Sequence, residues 1–216
     1  MKKEPKPPGS SAQESTTQGP NAQDYFAGLY EGSDDPWLLR ERWYERRKRA
    51  LTLAALPDER YRRGYEPGCA NGELTVELAS RCKKLLAADL NLAAVELTRQ
   101  RVSHLENVRV EQRAMPDDWP DGEFDLIVIS EMAYYLDDAQ LAKLVARIEV
   151  SLADGGTVLA CHWRRPIEGW PHSGDHVHRE LRAKLTLPQL SFYQDDDMVL
   201  DVWSSDAKST HQREAR

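Results

Sequence analysis

The chain has 216 residues, with 36 Asp and Glu against 29 Lys and Arg and a formal net charge of −7. That length fits one domain with appendages and a sizeable core, and the acidity excludes bulk attraction to a nucleic-acid backbone, the local basic run Arg40 to Arg49 notwithstanding. Cys69, Cys82 and Cys161 form neither a paired framework nor a Cys-x-x-Cys spacing, the first twenty residues lack a signal peptide's apolar core, and no run approaches a membrane span, so a cytoplasmic protein with reduced thiols is expected.

Residues 1–20, rich in Lys, Pro, Ser, Gln and Thr, cannot bury enough apolar surface to offset ordering entropy and read as a disordered tail. Residues 21–60 read as a helical lid segment. In it an aromatic stretch, Tyr25 to Tyr30, precedes a helix capped by Ser33 or Asp34, entered at Pro36 and continuing past Leu39 and Trp43 towards Leu56. Residues 61–205 then alternate strand and helix, the signature of an open, mostly parallel α/β sheet. Strands are expected at Arg63–Glu66, Lys84–Asp89, Val108–Gln112, Phe124–Ser130 and Thr157–Trp163, with helices at Gly72–Arg81, Leu92–Arg101 and Ala139–Leu152. Asp154-Gly155-Gly156 reads as a glycine helix stop. A helix Asp175–Leu185 and two strands, Gln189–Gln194 and Met198–Trp203, close the domain as an antiparallel edge hairpin around a solvated Asp195-Asp196-Asp197 turn, and residues 206–216 read as a second disordered tail.

The stretch Tyr65-Glu66-Pro67-Gly68-Cys69-Ala70-Asn71-Gly72-Glu73-Leu74-Thr75 carries the chemistry. An acid leads into two glycines three residues apart, which fits a strand ending in a tight turn that comes close to a ligand. A phosphate-cradling loop would end Gly-Lys-Ser/Thr, and a dinucleotide site would read Gly-x-Gly-x-x-Gly. Neither pattern is present, and carboxylates at Glu66 and Glu73 make poor surroundings for a polyanion. A ligand with positive charge and a ribose fits better, with Asp89, at the end of the next apolar run, as bidentate acceptor for the ribose hydroxyls. His172, His176 and His178 beside Asp175 suggest metal ligation, but the spacing of His176 and His178 diverges on one helix and Asp175 reads as a cap, so no metal site is expected.

At Glu66, Gly68, Gly72, Asp89 and the strand Phe124-Asp125-Leu126-Ile127-Val128 the chain resembles the class I S-adenosylmethionine-dependent methyltransferases. The resemblance implies a Rossmann-like seven-stranded sheet and S-adenosylmethionine as cofactor, leaving as S-adenosylhomocysteine. It also implies cofactor contacts from Glu66, Gly68, Cys69, Gly72, Asp89, Leu90, Ala114, Met115 and Glu131, with Arg42 or Arg47 reaching the cofactor carboxylate and Trp119 covering the adenine. Glu131, His162 and Tyr134 are the catalytic candidates. Trp37, Trp43, Tyr135, Trp163 and His176 are the candidates for the acceptor, with Trp37, Trp43 and Tyr44 as a lid.

Asp35-Pro36-Trp37, Trp43-Tyr44-Glu45-x-Arg47-Lys48-Arg49, Glu66-Pro67-Gly68-Cys69, Ser130-Glu131-x-x-Tyr134-Tyr135 and His162-Trp163-Arg164 together resemble the bacterial nodulation protein S family. That family methylates the free amino group of a deacetylated chitin-type oligosaccharide, so the resemblance implies a small-molecule acceptor, an amino sugar or oligosaccharide, with no nucleic-acid or membrane partner. Three readings stay open: N-methylation of such an amine, O-methylation of a natural-product intermediate, and a non-catalytic cofactor-binding subunit. Oligomeric state stays open as well.

Overall fold

A computed structural model describes residues 21–214, so the expectation of a disordered tail over 1–20 lies outside the described residues. The seven strands, β1 Tyr61–Pro67, β2 Cys82–Asp89, β3 Val108–Gln112, β4 Phe124–Ser130, β5 Leu152–Trp163, β6 Gln189–Gln194 and β7 Met198–Ser204, form one sheet in the order β3-β2-β1-β4-β5-β7-β6. Strands β1 to β5 pair in parallel, and β7 runs antiparallel between β5 and β6. The chain order reverses between β1 and β4, which opens a crevice at their carboxyl ends.

The alternation of side chains along β4 explains the layers. Leu126 and Val128 face one apolar cluster with Leu56, before β1, and Leu78 of α3 (Glu73–Ala79). Ile127 and Ile129 face the other, with Leu141, Leu144 and Ile148 of α5 (Asp138–Ser151) and Leu181 of α6 (Gly174–Lys184). With both faces covered, β4 needs the continuous apolar run its sequence carries. Helix α4 (Leu92–Arg101) buries Val95 against Ala87 and Val110, and its N-terminus is capped by Asn91 Oδ1, which accepts from Ala93 and Ala94.

Five local readings need correction. The aromatic stretch Tyr25 to Tyr30 belongs to a helix, α1 (Ala22–Gly32), capped by the Asn21 side chain. The helix expected from Pro36 to Leu56 begins only at Trp43, as α2 (Trp43–Ala55). Residue Asp35 does cap backbone N–H groups, those of Leu39 and Arg40 at 2.8 and 3.1 Å, but Leu38 turns into the left-handed region at φ 55°, so the turn cannot propagate. The Asp154-Gly155-Gly156 turn lies inside the long strand β5, since α5 ends at Ser151 and Leu152 already pairs with Phe124. Asp195 is a built joint: it accepts from the backbone N–H groups of Asp197 and Met198 and from Tyr193 and Arg47. The tail from 206 ends in a further helix, α7 (Thr210–Glu214), whose buried Arg213 donates to Asp58 at 2.7 Å and to Ser204 Oγ at 3.1 Å.

Helix α6 starts where no side chain fits. A Cβ on Gly174 would run into the carbonyl oxygen of Trp163 and lie 3.0 Å from Cβ of His162. The Gly174→Ala variant is therefore expected to lose about 1–3 kcal/mol or more of unfolding free energy, because rigid backbone must move. The urea midpoint measured against the parent checks this.

Candidate active site

The crevice holds a cleft of about 670 Å³. Its floor comes from the carboxyl ends of β1, β2 and β4, and its roof from α1, α2 and the turn between them. Of the residues singled out in the sequence, Glu66, Gly68, Cys69, Asp89, Leu90, Ala114, Met115, Glu131, Tyr134, Tyr135, Trp37 and Trp163 all line it.

The glycine turn is built for close approach. Gly68 takes φ 78°, where a Cβ would stand only 3.0 Å from that of Met132, and the N–H groups of Gly68 and Cys69 both donate to the Ala88 carbonyl at 2.7 and 3.0 Å. Gly72 lies outside the cleft lining: at φ 81° it caps α3, and a side chain there would strike Thr98. Its role is to shape the turn. Asp89 accepts one backbone hydrogen bond on each oxygen, from Ala70 on Oδ2 and Asn91 on Oδ1, both at 2.9 Å. Each oxygen keeps a lone pair for a pair of hydroxyls. Burial pushes its carboxyl up to about 6 against the backbone N–H groups of Asn91, Ala70 and Leu90. Glu66 is 2% exposed, and its Oε2 has no hydrogen-bond partner among the described residues. Burial pushes Glu66 up to about 8, against the Thr75 hydroxyl and with the Asp89 charge adding to it. A buried acceptor without a donor is a place for a ligand cation.

Glu131 is the opposite case. Its backbone takes φ 55°, a left-handed conformation that L side chains rarely adopt, at the end of β4. Its Oε1 accepts from Lys48 Nζ at 2.7 Å and Tyr44 at 3.2 Å, and its Oε2 from Tyr134 at 2.6 Å and the Trp163 N–H at 2.9 Å. Burial alone would raise it, but Lys48 overcomes this and holds the carboxyl at about 2. Lys48 is in turn 2.7 Å from Glu45, so two carboxylates share one ammonium and the cluster keeps one net negative charge. Burial would lower Lys48, yet Glu131 and Glu45 raise it. The phenols of Tyr134, Tyr44 and Tyr135 are all pushed up, first by burial and, for the first two, next by the Glu131 charge. They are donors here, not bases.

Besides Gly72, five predicted residues fall elsewhere. Arg47 points away from the cleft, pairing with Asp195 at 2.7 Å and with Tyr193 at 2.5 Å, so it fastens α2 to the edge hairpin, and of the two candidate arginines it is Arg42 that lines the cleft. Trp43 is 68% exposed under Arg46 and covers nothing in the cleft. His162 is fully buried behind the cleft in a polar chain: Nε2 accepts from the Ala133 N–H at 3.2 Å, Nδ1 meets His178 Nε2 at 3.0 Å, and His178 Nδ1 meets Asp201 at 2.5 Å. Burial and then His178 push it down to about 3, so it is neutral and fixes the turn carrying Tyr134 instead of meeting an acceptor. His176 stacks on His172 outside the cleft lining. Trp119 likewise covers no ligand: its Nε1 donates to Ser151 at 2.9 Å and its ring edges Tyr65 in the core.

Sequence reasoning gave Lys48 no role, although Glu45 and Lys48 stand three apart on one helix face, a spacing that pairs them. It missed Tyr30 and Trp170 as well. Tyr30, from α1, lines the cleft with its hydroxyl raised by burial and then by Asp89, and Trp170 packs edge-on against Tyr135 at 4.8 Å. The buried Asp35 also joins this roof to the glycine turn, accepting from Asn71 at 3.0 Å.

Strand order, glycine turn and acidic cleft together are those of the class I S-adenosylmethionine-dependent methyltransferases. A family model for nodulation protein S matches residues 29–173. The chain belongs to the nodulation protein S family. The nodulation protein S of Rhizobium tropici is 32% identical over 126 residues, which are 57% of this chain and 53% of that protein. The chain spans little more than half the length of the first curated relatives it matches. A Pseudomonas syringae protein assigned as a methyltransferase has a crystal structure 50% identical, with a TM-score of 0.68 over 76% of this chain and 99% of its own. The N-methyltransferase NodS of Bradyrhizobium japonicum WM9, crystallised with S-adenosylhomocysteine, is 26% identical, with a TM-score of 0.73 over 83% of this chain and 97% of its own.

Removing the shared cation leaves two buried carboxylates facing each other. Lys48→Met is expected to cost about 3–5 kcal/mol in urea unfolding, and Lys48→Met/Glu131→Gln less than the sum of the single losses. Glu131 is depressed, so its stabilisation is complete above about 4.5 and is lost as pH falls towards about 2. The gap between parent and Glu131→Gln should close over that acid window.

Proposed function

We propose that the protein is an S-adenosylmethionine-dependent methyltransferase that methylates the amino group of a small-molecule acceptor, an amino sugar or oligosaccharide. The carboxylates of the cleft carry this reading: Glu131 and Glu45 share the one ammonium of Lys48, and Glu66, largely neutral in the free protein, can ionise against a ligand cation. The residues present fit the cofactor. Glu66, with its unpartnered Oε2, would take the methionine ammonium, Arg42 its carboxylate, Asp89 the ribose hydroxyls, and Ala114 and Met115 one side of the adenine. When bound, the cofactor supplies an electrophilic methyl group on a sulfonium.

The protein's own part is alignment and exclusion of water. Tyr134 and Tyr44 are locked by their bonds to Glu131, and Tyr135, Trp37 and Trp163 wall the acceptor side with aromatic faces that attract cations by about 0.5–2 kcal/mol. Saturated by four donors, Glu131 orients and polarises rather than accepting a proton. An amine tolerates this arrangement, since an amino group with a pKa of about 8 is partly neutral at physiological pH. A hydroxyl acceptor would need a stronger base than these phenols and Glu131 provide.

A screen of amine and hydroxyl acceptors for S-adenosylhomocysteine release, with product mass spectrometry, tests the reading. Turnover is expected with amines, rising with pH and levelling near the acceptor's own pKa, and Glu131→Gln is expected to reduce kcat/KM on the order of a hundredfold. Turnover of hydroxyl acceptors alone would contradict it, and cofactor binding without any turnover would mark a binding subunit. By calorimetry, Asp89→Asn should weaken cofactor affinity by roughly 10- to 100-fold.

A further inference from the structure

Outside the cleft lining, three side chains from three different parts of the chain converge. Asp138 opens α5, His172 lies in the segment between β5 and α6, and His176 stands in the first turn of α6. Nε2 of His172 is 3.1 Å and Nε2 of His176 3.5 Å from the same carboxylate oxygen, Asp138 Oδ1. The two imidazoles stack nearly parallel, with ring centroids 4.0 Å apart and an interplanar angle of 11°. All three candidate ligand atoms lie within 4.8 Å of one another. Both Nε2 atoms are shielded from water, and neither is in hydrogen-bonding geometry.

Two shielded nitrogens thus lie beside one carboxylate oxygen with no hydrogen bond made between them. An ion among the three ligand atoms would give each of them a partner. Around a tetrahedral zinc ion, with ligand bonds of about 2.0–2.2 Å, neighbouring ligand atoms stand about 3.3–3.6 Å apart, close to the two nitrogen–oxygen distances of 3.1 and 3.5 Å here. We propose that Asp138, His172 and His176 form a binding site for a divalent cation of the zinc type, bound through two imidazoles and one carboxylate. Two nitrogens and one oxygen suit zinc and its neighbours in the first transition row, and not magnesium or calcium, which take oxygen ligands. The Asp138 side chain is 81% exposed, so the remaining coordination positions open to solvent.

Two features oppose binding. An ion on Nε2 lies in the plane of each imidazole, so the parallel stack of His172 and His176 must open for both to reach it. Arg179 Nη2 lies 2.8 Å from His176 Nδ1 and donates to it, whereas a metal on Nε2 requires Nδ1 to carry the proton. Exposed Arg179 must therefore swing away, and this weakens the site. Bound metal would tie the segment between β5 and α6 to the start of α5. That segment carries Ile167, which lines the cleft, and Trp170, which packs on Tyr135. The ion would thus brace the rim on the acceptor side.

The test is calorimetric titration of chelator-treated full-length protein with Zn²⁺, with visible spectroscopy of the Co²⁺ form. One ion per chain is expected, with the intense visible absorption of tetrahedral cobalt. Asp138→Asn, a change on an exposed side chain that leaves the fold intact, and His172→Ala should each weaken binding by roughly tenfold or more. His211→Ala, an exposed histidine of α7, should leave it unchanged, and Arg179→Gln should tighten it. Equal affinity in Asp138→Asn and parent, or absence of saturable binding by the parent, overturns the proposal.

Discussion

The cleft depends on one buried ammonium. Lys48 projects from α2 to the end of β4 and fixes Glu131, and through the shared carboxylate it brings Tyr44, Tyr134 and the Trp163 backbone to a single point. A cation held this deep is costly unless it is fully paired, and pairing with two carboxylates both retains it and leaves the site negative. The second acid at the switch point, Glu66 on neighbouring β1, has no such partner and is pushed towards its neutral form. Two glutamates at the ends of adjacent parallel strands are thus in opposite states, one charged by the protein itself and one awaiting a cation from outside.

The roof follows from the same pairing. With α2 docked by Lys48 on one side and by Arg47 to Asp195 on the other, the turn before it is positioned over the glycine loop, where Asp35 takes Asn71. Helix α1 then lays Tyr25, Phe26 and Tyr30 across the opening, against Tyr135, Trp37 and Trp170. Behind the floor, the buried chain Asp201, His178, His162 holds the Ala133 N–H, so the turn bearing the two tyrosines is set by buried hydrogen bonds rather than by packing alone. The acceptor side is mostly aromatic side chains on rigid supports.

Much of this was legible because it is local. The parallel sheet was readable from its apolar runs, the edge hairpin from its polar-apolar alternation, and the glycine turn and Asp89 from spacing alone, since strand ends and αL positions need particular residues nearby in the chain. The illegible parts are long-range or conformational. Nothing near Arg47 indicates that its carboxylate lies 148 residues away, and nothing near Lys48 points to Glu131, 83 residues on. His162 looked catalytic because a histidine at the end of a strand in this kind of sheet usually faces the ligand. In a strand the facing alternates, and here the imidazole turns towards α6 and His178. The helix expected from Pro36 failed for a local reason that composition hides: a left-handed Leu38. Arg213 shows the same limit at the end of the chain, where a polar tail was anchored by one buried guanidinium.

Burial keeps Glu66 largely protonated until a cationic ligand pairs with it. Titrating the protein with S-adenosylmethionine near pH 7 in buffers of different ionisation enthalpy measures this directly. With Glu66 at about 8 in the free protein, close to one proton should be released for each cofactor bound, and Glu66→Gln should abolish the release while weakening binding. Binding with no proton released, or undiminished affinity in Glu66→Gln, would contradict the account.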